Sequence, residues 1–277
     1  MEENENPGES SDGVEPSRLP PMPVPASELN RTLRGGASSD PVNFRLPVVD
    51  GLPPLQPRWT VLIRLLLAIP QFIVLLVVGI GVFFVAICAW FAALLTGRVP
   101  PSMAAFFQSY VRWSARVGSY FYLLTAEYPP FDGQPNAAYP IDVEYPELTD
   151  LNRAAVFFRV IIAIPAYAMG TFLGSGLAIF MFPFWICALI LGRLPDPVYR
   201  AVGTVTRFQV RLQAYMLMVT PEYPWGWRGD SASAAGADTP STNATTRFDF
   251  VVVGAAQAWI WIWIVLGVIY EVFLRHR

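Results

Sequence analysis

Arg64-Leu-Leu-Leu-Ala-Ile-Pro70 and Arg159-Val-Ile-Ile-Ala-Ile-Pro165 carry one pattern twice, 95 residues apart. Sliding the chain on itself by that distance keeps the register without a gap. Gly79 and Gly81 fall on Gly174 and Gly176, Trp90 on Trp185, and Gly97-Arg98-Val99-Pro100 on Gly192-Arg193-Leu194-Pro195. Arg112, Arg116 and Tyr120 then fall on Arg207, Arg211 and Tyr215, and Thr125-Ala-Glu127-Tyr-Pro129 falls on Thr220-Pro-Glu222-Tyr-Pro224. A match this long with no insertion reads as a duplicated module. Each copy opens on an apolar run, Val61 to Leu95 and Val156 to Leu191, and a third run, Phe250 to Leu274, follows the second copy.

Every one of these runs exceeds the roughly 18 apolar residues that mark a candidate membrane span. Composition agrees, with 54% hydrophobic and only 14% charged residues in 277, where a soluble domain carries about a quarter charged. The expected fold is therefore an all-α membrane protein: two tandem repeats, each a long apolar run plus an Arg-bearing amphipathic helix, then a C-terminal transmembrane helix. A run of about 35 residues would make one helix about 53 Å long, against a hydrocarbon core of about 30 Å. Two readings accommodate it. The run folds into a hairpin at Gly79-Ile-Gly81 and Gly174-Ser-Gly176, or it is one helix kinked near Pro70 and Pro165 whose first turns lie along the interface. The central position of the glycines favours the hairpin.

After the Gly-Arg-x-Pro turn, Phe106, Tyr110, Trp113, Val117, Tyr120 and Leu124 step by three and four, one face of a helix. Arg112 and Arg116 lie on the other face, as do Arg207 and Arg211 in the second copy. A helix of that kind fits the headgroup region. Two modules with the same Arg placement are expected to face the same way, giving an even number of crossings each and a multi-pass protein with five spans under the hairpin reading. The positive-inside tendency then places Arg58, Arg64, Arg98, Arg112 and Arg116 in the cytoplasm. Short strands are expected at 44–49 and 139–146, in matching places before each repeat.

The organisation expected along the chain is a disordered Pro-rich acidic tail at 1–43, repeat one at 44–131, a linker strand with repeat two at 132–226, a flexible linker at 227–248 and the last helix at 249–277. Residues 1–57 hold eleven of the 26 prolines and nine acidic residues against four Arg, too little apolar surface to offset ordering entropy. All 19 basic residues are Arg, a usage that reads as a high-GC bacterial genome, and no basic run suggests nucleic acid. Cys88 and Cys187 sit inside apolar runs and read as packing residues. The single histidine, His276, is too little for a histidine-based triad or a His-rich metal site. No catalytic residue, metal or cofactor is expected.

Apolar run with Arg-x5-Pro, Thr96-Gly97-Arg98-Val99-Pro100, Arg112-Trp113-x-x-Arg116, Tyr120 and Thr125-x-Glu127-Tyr128-Pro129-Pro130-Phe131 together resemble the bacterial membrane family called domain of unknown function 4389. The likeness covers both modules; the second departs from it with Phe208 for Trp113 and with Tyr223-Pro224-Trp225-Gly226 at its end. The resemblance implies a membrane protein and supplies no reaction.

Candidate contacts to lipid phosphate or another anion are Arg98, Arg112, Arg116, Arg193, Arg207 and Arg211, since guanidiniums at i and i+4 can hold a phosphate bidentately. Glu127 and Glu222 are candidate counter-ions to Arg98 and Arg193. Gly170-Thr-Phe-Leu-Gly174 permits close helix approach and a dimer contact. The expected function is a non-enzymatic scaffold or accessory subunit of the bacterial inner membrane. Its partners would be the bilayer, anionic lipid, and another membrane protein or a second copy. The alternative is a small transporter or channel with Arg-bearing helices lining a polar cavity.

Overall fold

The computed structural model describes residues 42–47, 52–136, 138–224, 227, 252 and 254–274; the expected tail and nearly all of the expected linker at 227–248 lie outside them. In chain order the elements are β1 (Asn43–Arg45), α1 (Arg58–Thr96), α2 (Pro101–Phe121), β2 (Asp142–Glu144), α3 (Arg153–Phe157), α4 (Arg159–Leu191), α5 (Asp196–Met216) and α6 (Ala255–Ile269). A π-helical turn, Tyr270–Leu274, prolongs α6. Three of the helices are long and apolar enough to cross a membrane.

The Gly-Arg-x-Pro sequence makes each repeat a helical hairpin. Gly97 and Gly192 sit at φ of 79° and 74° and close α1 and α4 by donating to Ala93 O and Ala188 O, a left-handed cap that only glycine adopts without cost. Pro101 and Pro197 then start α2 and α5 in the first turn, where the missing N–H has no acceptor to lose. The hairpin expected inside each apolar run does not form. α1 runs unbroken through Pro70, Gly79 and Gly81, and α4 runs through Pro165, Gly174 and Gly176. Gly79 serves packing instead: a Cβ there would stand 3.0 Å from the Tyr110 hydroxyl.

The repeats also do not face the same way. At one end Gln56 N–H donates to Gly192 O (2.7 Å) and Arg58 Nη2 to Ile190 O (3.1 Å), so α1 begins where α4 ends. At the other end Leu151 N–H donates to Gly97 O (2.8 Å) and Trp90 Nε1 to Val156 O (3.0 Å), so α4 begins where α1 ends. Two rods that meet at both ends in this sense run antiparallel. The copies are therefore related by a pseudo-twofold axis across the helices, and an identical Arg placement in sequence becomes an opposed placement in space.

The same axis passes through the strand pair. β1 and β2 are antiparallel with Phe44 opposite Val143, and the two expected strands prove to be each other's partners. They are also exchanged: β2, which leads into the second repeat, packs on α2 of the first, while β1, which leads into the first, packs on α5 of the second. α2 thus has three buried faces. Tyr110, Trp113, Val117 and Tyr120 turn to α1; Ser114 and Gly118 turn to α5; Arg112 and Arg116 turn to the strand layer. The strands thereby meet α2 on a different face from α1, about 100° further round the helix.

α6 runs antiparallel along α4 in a close crossing. Cβ atoms built at Gly176 and Gly267 would fall 2.0 Å from Trp263 O and 1.9 Å from Phe172 O, so the two backbones touch. Trp259 and Trp263 pack edge-on to Phe184, while Trp261 points outward. Gly170, expected at a dimer seam, faces Leu212 and Gln209 of α5 within the chain. Gly176→Leu forces α4 and α6 apart and is expected to lower the detergent melting midpoint markedly, as an overpacking cost of at least about 1–3 kcal/mol. Gly81→Ala, whose Cβ meets nothing within 4 Å, leaves the midpoint unchanged or slightly raised; tryptophan fluorescence on heating measures both.

Candidate functional site: the buried arginine centres

Helix ends buried away from water must find donors for their last carbonyls. In the first repeat Arg64 Nη1 donates to Tyr120 O at 3.0 Å, with its guanidinium 4.4 Å from the centre of the Tyr120 ring. In the second, Arg159 Nη1 donates to Tyr215 O at 2.6 Å and Nη2 to Thr220 O at 3.2 Å, with the guanidinium 4.3 Å from the Tyr215 ring. A cation at a helix C-terminus is also favoured by the macrodipole. Just beyond, Leu123 and Met218 take up left-handed conformations (φ 65° and 59°). Leu124 N–H and Val219 N–H donate back to Ser119 O and Ala214 O. The same closure in two copies, with a bulky residue where glycine is usual, is held by burial: Leu123 and Leu124 are fully enclosed.

The face of α2 that carries Arg112 and Arg116 is covered by the segment 132–145. Arg112 Nε meets Asp142 Oδ1 at 2.9 Å, Nη1 donates to Gly133 O and Nη2 to Val143 O, and the guanidinium lies over the Tyr145 ring. Arg116, with no exposed side-chain surface, stands 3.5 Å from both Asp132 and Asp142, donates through Nε to Ile141 O, and lies over the Tyr139 ring. Burial pulls the Arg116 guanidinium down from its ordinary range while Asp142 pulls it back up. Burial pushes both phenols, Tyr139 and Tyr145, above theirs, so they stay protonated and donate to Glu127 O and Gln108 O. In the second copy Arg207 is buried, and Arg211 Nε donates to Val42 O beside β1 at 3.1 Å, as Arg116 does to Ile141 O beside β2. Asn43 holds the position opposite to that of Asp142 across the axis.

Arg112, Arg116, Arg207 and Arg211 were candidate lipid contacts; the first three are buried in the fold, and Arg211 is engaged by it. The segment after α2 covers the polar face of α2, and the segment at β1, before the first repeat, meets that of α5; no local pattern assigns either to its place. Arg98 is exposed at the α1–α2 turn, where it pairs with Asp150 rather than Glu127. That pairing holds the Asp150 carboxyl below the usual carboxylate range. Arg193 is half-buried at the matching turn. Glu127 is exposed; its carbonyl accepts from Tyr139, and the backbone N–H groups of Glu127 and Glu222 are held by Thr125 and Thr220. Arg64, Arg159 and Gln71 were not among the candidates. The signal for them was the spacing of Val61, Arg64, Ala68, Gln71 and Leu75, by three and four, which puts both polar residues on the stripe that α1 buries.

Gln71 explains the departure of the second repeat. Its amide donates to Pro129 O (2.7 Å) and accepts from Trp113 Nε1 (2.9 Å) with no exposed surface. At the two matching places the second copy has Ala166 and Phe208, both buried, so a hydrogen-bonded pair has been exchanged as a unit for an apolar one. Among the described residues no group of His, Cys, Asp and Glu is arranged to hold a metal.

Two inverted, strand-exchanged helical hairpins with buried arginines that bond to backbone carbonyls, carried on long apolar helices, define an all-α protein of membrane type built from a tandem repeat. The chain belongs to the family described as domain of unknown function (DUF4389), whose profile matches residues 58–132 and 153–228, more than half its length. No curated protein and no solved structure matches it.

Gln71→Ala strands the Trp113 N–H and Trp113→Phe strands the Gln71 oxygen, each expected to cost about 1–3 kcal/mol. The double variant, which reproduces the second repeat's pair, is expected to cost clearly less than the sum; a thermal double-mutant cycle in detergent reads the coupling. Asp142→Ala removes the shared counter-ion of Arg112 and Arg116 at about 3 kcal/mol, the lower end for a buried pair because Asp142 keeps some access to water. Asp150→Asn, at a fully exposed pair, leaves the melt unchanged.

Proposed function

We propose that the protein is a non-enzymatic scaffold or accessory subunit of a bacterial cell membrane that gathers anionic lipid at its rim. The observation that carries this reading is the division of its arginines. Those of the central helices are engaged within the fold, whereas Arg58, Arg98, Arg153 and Arg193 stand at the ends of the long helices, exposed or half-buried, with Arg58 reaching Ile190 O and Arg98 paired to the exposed Asp150. They form two pairs related by the pseudo-twofold axis. Arg58 reaches the end of α4, next to Arg193, and Arg153 lies beside Gly97, next to Arg98. Guanidiniums at the edge of an apolar surface suit lipid phosphate.

In nanodiscs of mixed phosphatidylglycerol and phosphatidylcholine, lipid retained through purification is expected to be enriched in phosphatidylglycerol by several fold over the bulk mixture. The combined variant Arg58→Ala, Arg98→Ala, Arg153→Ala, Arg193→Ala loses that enrichment, as mass spectrometry of the bound lipid would show. Equal retention of both lipids by the unaltered protein would remove the lipid half of the proposal. A transport reading draws on one feature, a groove of about 420 Å³ between α2, α4 and α5 with Ser114, Gln209 and Gln213 on its floor. Solute flux through proteoliposomes above the protein-free rate would put that reading first.

A further inference from the structure

We infer that the molecule lies along the membrane in a single leaflet, with α1, α4 and α6 parallel to the bilayer plane, the α2–α5 pair above them and the strand layer in water. This rests on the membrane-scaffold reading and replaces the expectation of several crossings. An upright α1 is too long to begin with: its 39 residues extend about 58 Å against about 30 Å of hydrocarbon. Length alone would permit a steep tilt. What excludes an upright pose is the level at which polar groups stand beside the long helices.

The middle of α1 is at Gly79, which abuts Tyr110 of α2. At that level Tyr145 bonds to Gln108 O, and Asp142 meets Arg112 within the strand layer; Asp132, more than half exposed, stands beside Arg116 one turn further along α2. A bilayer perpendicular to α1 would bring Asp132 and the edges of a two-stranded sheet into the hydrocarbon, where backbone and carboxylate groups find no solvation. α4 shows the same conflict independently. Ser175, halfway along α4, donates to Glu271 Oε1 at 2.8 Å. An upright α4 would therefore hold the Glu271 carboxylate at the bilayer midplane, four residues before Arg275-His276-Arg277.

Charge at the helix ends points the same way. Upright long helices would place Arg58 and Arg193 on one side of the membrane and Arg98 and Arg153 on the other, which cancels any positive-inside asymmetry. Lying flat, all four guanidiniums share one headgroup level around an apolar face. Each long helix carries such a face. Opposite the stripe that α1 buries are Leu62, Ile73, Phe84 and Leu95, all exposed, each eleven residues (three turns) from the next. α4 and α6 add Ile164, Phe182 and Val265. The occupant this surface fits is the acyl layer of one anionic leaflet.

The test uses the full chain with Cys88→Ser and Cys187→Ser, reconstituted in phosphatidylglycerol-containing vesicles, with a nitroxide at position 62, 73, 84 or 95. The ratio of oxygen to nickel-chelate accessibility is expected to be lipid-like and to agree within about twofold at all four sites. A ratio that peaks at 73 and 84 and falls about tenfold toward 62 and 95 would overturn the flat pose and restore crossing helices. Sidedness gives a second readout: a membrane-impermeant maleimide should reach single cysteines at Leu55 and Thr96, at opposite ends of α1, from the same side. Labelling from opposite sides overturns the inference. Water-like accessibility at every nitroxide site would instead overturn the membrane reading itself, so the two failures are distinguishable.

Discussion

The last carbonyls of α2 and α5 end inside the protein, and the arrangement of everything around them follows from the need to satisfy them without water. Arg64 and Arg159 do so from the first turns of the long helices. This fixes where each long helix must lie against its central partner and brings a tyrosine ring under each guanidinium. A charge in an apolar stripe is costly unless it is hydrogen-bonded, and here the cost of one buried group offsets that of another. The left-handed residues Leu123 and Met218 follow from the same closure, since the chain must turn sharply once the helix end has been capped from the side.

The second organising feature is the pseudo-twofold axis. Each repeat gives up the strand that precedes it to the other repeat, so the polar faces of α2 and α5 are covered crosswise. The copies have then diverged in units. Gln71 with Trp113 became Ala166 with Phe208. Changes confined to one side of such pairs would leave a buried donor or acceptor unmatched. Paired replacement leaves the packing frame intact.

The duplication, the amphipathic faces of α2 and α5 and the two strands were legible in the sequence because each is a local spacing or a direct repeat. The continuity of α1 and α4 was not. A glycine that lets a tyrosine hydroxyl approach and a glycine that turns the chain look alike in sequence, and only the position of Tyr110 separates them. The inward placement of Arg112 and Arg116 was hidden for a different reason. A polar helix face reads as solvent-facing unless something returns to cover it, and the covering segment lies about 25 residues downstream, recognisable only as acidic and tyrosine-rich. The opposed direction of the two modules was likewise beyond a one-dimensional repeat, which fixes equivalence but not the axis that relates the copies.

Crosswise strand exchange also imposes an order on assembly. β2 follows α2 directly and can dock on it as soon as it is made. The backbone beside β1 serves Arg211, and Val42 and Arg211 are 169 residues apart. β1 can pair with β2 once residue 144 has been made, but its contact with Arg211 must wait until almost the whole of the second hairpin has been added. Docking of α5 on the strand pair completes the second centre and joins the two hairpins.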